Sequence, residues 1–189
     1  MNITPEEAQA ALNDIQDAST KARKVANTWA YYMLLWGVIW TIGFLATQFQ
    51  PHWVTGIWIA MVVIGMAGSA ILGITQSGRM RPVPGSHVAF ISSRLGIFYG
   101  VLYSFAILWL IIFPLTPMQI GILWITVVMF GSIIAGSLIN EPLSIIVGVV
   151  ITFMSVVGYY LLPQYFWIWA AVFAGLPLIG VSIYYLRKQ

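Results

Sequence analysis

The 189 residues contain no cysteine. Disulfides, thiolate metal sites, cysteine-ligated iron–sulfur clusters and thiol redox chemistry are therefore excluded. Charge is nearly as scarce: 8 Lys and Arg plus 5 Asp and Glu make up 7% of the chain. Histidine occurs twice, at His52 and His87, and Glu141 is the one acidic residue beyond Asp17. In place of charge there is apolar bulk: 60% of the residues are hydrophobic and 15% are aromatic. A soluble domain of this length leaves too much of itself in water to hide that surface.

The apolar residues fall into six runs, at about 28–49, 53–75, 95–113, 118–139, 143–162 and 165–186. None of the runs contains Asp, Glu, Lys, Arg or His. Each approaches the roughly 20 residues with which a helix crosses about 30 Å of hydrocarbon. Strands of a membrane barrel would alternate apolar and polar residues, and these runs do not. The expected fold is an all-α integral membrane protein with six transmembrane helices. Residues 1–27 are polar and amphipathic, which predicts a cytoplasmic helix ahead of the bundle (28–189) and not a secretory signal.

Orientation follows from the basic residues. All eight lie at Lys21, Arg23, Lys24, Arg79, Arg81, Arg94, Arg187 and Lys188, that is, before the first run, between the second and third, or after the last. The opposite loops, near Pro51, Pro114 to Pro117 and Pro163, carry none. The asymmetry predicts that both termini are cytoplasmic. The formal charge of +3 then reflects topology and lipid headgroups, not nucleic-acid binding.

The sequence reads as one hairpin used three times; the alternative is a chance likeness among apolar helices with Gly and Pro at their ends. Leu34-Leu-Trp-Gly-Val-Ile-Trp40, Ile97-Phe-Tyr-Gly-Val-Leu-Tyr103 and Ile145-Ile-Val-Gly-Val-Val-Ile151 align on Gly37, Gly100 and Gly148. Pro51, Pro114 and Pro163 follow these glycines after 14, 14 and 15 residues, just beyond each first helix, where proline breaks no helical hydrogen bond. Three tandem hairpins in parallel permit pseudo-threefold symmetry about the membrane normal. Small residues four apart (Ser69 and Gly73, Gly131 and Ala135, Ser132 and Gly136, Ala171 and Gly175) predict close helix packing inside the bundle; the alternative is an interface between copies.

On the cytoplasmic side, Thr4-Pro5-Glu6-Glu7 starts the N-terminal helix with a cap, a first-turn proline and a capping box. Acidic residues come early and basic ones late, as the helix dipole favours. The segment 4–26 could lie on lipid, pack under the bundle or engage a cytoplasmic or membrane protein. Arg79-Met-Arg81-Pro-Val-Pro-Gly85 reads as an irregular basic turn near headgroups, with Ser86 capping a short interfacial helix. Before the fifth run, Asn140 is the expected N-cap, with Glu141 against the helix N-terminus. The repeat places Arg94 level with Glu141, which suggests pairing. Arg94, Asn140 and Glu141 are thus the candidate cytoplasmic mouth.

Catalytic and relay chemistry lacks its parts. The spans hold no ionisable group of the kind that membrane proton relays use. His52 and His87 fall on opposite sides, which disfavours a bis-histidine haem or a two-histidine metal site. Neither cofactor nor metal is expected, nor an enzyme. The distinctive material left is tryptophan. Trp36 and Trp40 share a helix face, and Trp53, Trp58, Trp109, Trp124, Trp167 and Trp169 lie toward the outer half. They read either as an interfacial belt or as a ligand cavity lined by Trp36, Trp40, Trp58, Trp109 and Trp124. Thr41, Thr126 and Ser155 could line that cavity or bond to their own helices.

Two stretches, Glu7-Ala-Gln-Ala-Ala-Leu-Asn-Asp-Ile15 with the basic cluster after it and Leu34-Leu-Trp-Gly-Val-Ile-Trp-Thr-Ile-Gly-Phe44, resemble a family of small uncharacterised six-span bacterial inner-membrane proteins. The resemblance implies a bacterial plasma-membrane location and brings no activity with it. The expected function is a non-enzymatic membrane protein, either an accessory or sensory subunit or a binder of an apolar ligand. The alternative is a small transporter or channel for an uncharged or lipophilic substrate. Expected partners are membrane lipids, an apolar small molecule, or a protein docking on residues 4–26.

Overall fold

The computed structural model describes Gln9 and residues 29–77, 87–138 and 140–187. The N-terminal helix expected over residues 1–27 and the basic turn at 79–85 lie outside the described residues, Gln9 apart. Six helices long and apolar enough to cross a membrane follow one another: α1 (Trp29–Phe49), α2 (Val54–Ser77), α3 (His87–Ile112), α4 (Pro117–Leu138), α5 (Pro142–Leu161) and a composite α6. In α6, an α-helical Phe166–Ala170 and Leu176–Arg187 flank a π turn at Ala171–Gly175. Short 3₁₀ turns at Pro51–Trp53 and Pro163–Tyr165 join α1 to α2 and α5 to α6. No strand occurs among the described residues. α3 runs unbroken from His87, so the residues after Ser86 belong to the helix of the third span and not to a short helix of their own.

Proline and glycine set these boundaries. Pro117 and Pro142 stand at the first helical position of α4 and α5, where a missing N–H leaves no bond unmade. Thr116 and Gln119 close a reciprocal capping box on α4. The Thr116 N–H donates to Gln119 Oε1 at 2.9 Å, and the Gln119 N–H donates to Thr116 Oγ1 at 3.3 Å.

The helices pack in the order α2–α1–α6–α5–α4–α3, each contact built on a small residue. Gly65 and Gly68 of α2 receive Trp36 and Leu35 of α1. Gly37 of α1 meets Ile179 and Leu178 of α6, and Gly158 of α5 receives Trp169 of α6. Gly148 of α5 lies on Met129 and Ile133 of α4, and Gly131 of α4 receives Tyr99 of α3. The core forms where α1, α4, α5 and α6 meet, around Trp40, Phe44, Ile125, Met129, Ile151 and Phe166. The most apolar stretch of α1 is 44% buried, against 6% for α2 and for α3. The two outer helices show apolar side chains such as Ile59, Val63, Ile97 and Val101 to their surroundings, which hydrocarbon accepts and water does not.

The aligned glycines do not have equivalent surroundings. A Cβ at Gly37 or Gly148 would meet neighbours at 2.9 Å and 2.7 Å, whereas one at Gly100 would meet nothing within 4 Å. α1 is the most buried span and α3 a peripheral one, so likeness in sequence does not become likeness in packing.

Candidate functional site

The start of α5 and the end of α6 flank a cleft of about 470 Å³. Glu141, Pro142 and Leu143 form one wall; Gly180, Val181, Tyr184 and Tyr185 form the other. Local backbone geometry puts Glu141 there. α4 ends in a left-handed residue, Asn140, with φ 56°, and the Glu141 N–H reaches back to the Gly136 carbonyl at 2.8 Å. That pairing is a Schellman closure, in which a residue with positive φ lets the chain turn back on its last carbonyls. The expectation that Asn140 caps α5 is therefore corrected: Asn140 ends α4. Because Pro142 is the first residue of α5, the N-cap falls on Glu141, which has extended backbone and no side-chain capping bond. Its carboxylate is left to face the cleft.

Across the cleft, the Tyr185 hydroxyl donates to Glu141 Oε1 at 2.6 Å. This short bond ties the end of α6 to the start of α5. Ser182, fully buried, donates to the Ala30 carbonyl at 2.8 Å and fixes the same end of α6 on α1. Gly180 lines the cleft, and a Cβ there would meet nothing within 4 Å. Arg94 is exposed near the start of the third span. The partner that the structure gives Glu141 Oε1 is Tyr185, a residue not singled out from the sequence. Glu141 and Tyr185 each lie 22 residues from Pro163, so pairing the positions of the α5–α6 hairpin from its turn would have found it.

The five candidate tryptophans separate into two groups. Trp40 and Trp58 meet through Phe44, at 5.9 Å and 5.0 Å between ring centroids, and Trp167 joins them, its ring 5.9 Å from that of Phe44. Trp36 lies beside this cluster, its indole N–H donating to Ser69 Oγ at 3.1 Å. Trp124 belongs to the other side, 6.1 Å from Tyr103 of α3, and Trp109 is exposed and stacked on Phe113 at 4.7 Å. Phe44 and Phe166 are fully buried, so the first group is packed core. A second, apolar groove of about 420 Å³ runs between α1 and α2, along Tyr31, Leu35, Val38, Gly68 and Ile71. Neither it nor the cleft is lined by one of the five tryptophans.

The hydroxyls within the spans mostly satisfy themselves. Thr41 donates to the Gly37 carbonyl at 2.8 Å, and Thr126 to the carbonyls of Ile122 and Leu123, both at 2.9 Å. Ser155 differs: its Oγ is buried in α5 without a hydrogen-bond partner among the described residues. No group of three or more His, Asp or Glu placed to hold a metal ion occurs among the described residues. Comparison with protein-family models, with curated proteins and with solved structures finds no match to this chain.

Proposed function

We propose that this chain is a non-enzymatic, multi-pass membrane protein that binds an amphiphile in the cleft between α5 and α6. The observation that carries the reading is the cleft itself. Its lining combines a carboxylate and two tyrosines with apolar surface from Leu143 and Val181, and a Cβ at Gly180 would meet nothing within 4 Å. Pockets for small molecules combine apolar lining with a few convergent polar groups in this way. A transporter is the less favoured reading, because Phe44, Ile125, Met129, Ile151 and Phe166 fill the centre where the four inner helices meet. An aromatic ligand site at Trp36, Trp40 and Trp58 is disfavoured by the same packing. The proposal retains a bacterial plasma membrane with both termini cytoplasmic, three tandem hairpins in chain order, and residues 4–26 as the surface for any protein partner.

Native mass spectrometry of the protein released gently from its own membrane tests the reading. A reproducible bound amphiphile is expected on the native chain and should be lost in Gly180→Leu, which adds bulk to the cleft lining at a position where a Cβ meets nothing within 4 Å. The same bound molecules at the same occupancy in Gly180→Leu would sink it.

A further inference from the structure

We infer that the cleft selects amphiphiles whose polar end is an ammonium group; this rests on the cleft being a binding site at all. Glu141 carries the only acidic side chain beyond Asp17, and the fold places it on the cleft wall. Tyr184 and Tyr185 stand on the opposite wall, their rings edge to face at 5.8 Å. A carboxylate beside aromatic rings is the chemistry that holds an ammonium ion, by direct charge pairing and by attraction to the negative ring faces.

The other cations fit less well. Ca²⁺ takes six to eight oxygen ligands and Mg²⁺ one or two carboxylates together with phosphate, whereas the cleft pairs a single carboxylate with aromatic rings and apolar walls. A guanidinium gains its advantage by gripping both carboxylate oxygens with parallel N–H groups. Here Oε1 already accepts the Tyr185 hydroxyl at 2.6 Å, which obstructs that fork. An ammonium is a compact point charge and needs no such geometry. The tyrosine bond also holds the carboxylate in place before the ligand arrives, so less ordering is left to binding. Pro142, Leu143 and Val181 continue the walls as apolar surface, suited to the first carbons of the chain that bears the head.

The test uses the full-length protein in neutral detergent and three probes: dodecyltrimethylammonium, the chain-matched neutral dodecyl glucoside, and tetramethylammonium without a chain. Affinities are read by competition in native mass spectrometry, on the native chain, Glu141→Gln and Gly180→Leu. The native chain is expected to prefer the ammonium amphiphile to the glucoside by about ten- to thirtyfold, the range of a desolvated cation–π contact beside the Glu141 carboxylate, since the quaternary head has no N–H to donate. Glu141→Gln should erase that ratio, and Gly180→Leu should weaken both amphiphiles. Equal affinities in the native chain, or a ratio that survives Glu141→Gln, would overturn the ammonium inference while leaving the cleft as a site. Binding untouched by Gly180→Leu would instead remove the site. Tetramethylammonium that competes as well as the long-chain probe supports a soluble amine; one that fails where the long-chain probe binds supports a lipid-borne head.

Discussion

Gly175 of α6 lies so close to Thr41 of α1 that a Cβ on the glycine would overlap the threonine hydroxyl and stand 2.9 Å from its backbone nitrogen and 3.0 Å from its Cα. Two backbones therefore touch at the centre of the bundle, and neither a rotamer change nor a small shift of one side chain relieves an added methyl. Gly175 also ends the π turn of α6, so this close backbone approach coincides with the irregularity in that helix. A π turn rotates the residues after it relative to those before it. Phe166 and Ala170 before the turn, and Leu178 and Ser182 after it, are all buried.

Gly175→Ala is accordingly expected to destabilise the fold by about 1–3 kcal/mol, the cost of overpacking a filled core. Thermal unfolding in detergent reads this directly. An unchanged midpoint would mean that α1 and α6 are further apart than described.

Gly96 and Gly100 of α3 give the opposite expectation. Neither would bring a Cβ within 4 Å of anything, so alanine costs nothing in packing and gains helix propensity. Each change should leave stability unaltered or raise it by about 1 kcal/mol. A loss at either position would show that the outer face of α3 is covered by something else.

Asn140 holds φ 56°, which glycine adopts freely and most residues do not. Asn140→Gly should be nearly neutral, and Asn140→Ala should cost about 1–2 kcal/mol, the penalty for left-handed backbone. Equal midpoints for the two variants would refute the Schellman closure of α4.

Tyr185→Phe removes the hydroxyl that donates to Glu141 Oε1 and that also meets Ser144, and leaves the ring in place. Stability should fall by about 1 kcal/mol, the net worth of a hydrogen bond. The probe ratio between ammonium and neutral amphiphile should narrow without vanishing, since the charge stays while its positioning partner goes. A ratio left wholly intact would show that the tyrosine does not position the carboxylate.

The absence of cysteine makes orientation easy to check, because any introduced thiol is the only one. Gln164 is exposed in the α5–α6 turn and Arg187 at the far end of α6. In intact cells a membrane-impermeant maleimide is expected to label Gln164→Cys and to leave Arg187→Cys unlabelled until the membrane is opened. The reverse pattern would invert the proposed topology.

The sequence alone determined that the chain is helical, that six of its segments can cross a membrane, and which loops carry the basic residues. Those properties depend on transfer free energy summed over about 20 residues, a local quantity read along the chain. The same kind of reading would have found the capping box at Thr116-Pro117-Met118-Gln119, which has the form already recognised at Thr4-Pro5-Glu6-Glu7. Tertiary structure decided everything that depends on which face meets which. α1 became central and α3 peripheral although both carry the same glycine-centred motif, because an all-round apolar helix has no stripe to say where it packs. Asn140 went to the end of α4 and not to the start of α5, because Pro142 fixed the helix start one residue later. Glu141 found Tyr185, 44 positions away in sequence. That bond, and the cleft beside it, exist because α5 and α6 fold back on each other at the Pro163 turn, which the sequence marks without saying which faces of the two helices meet.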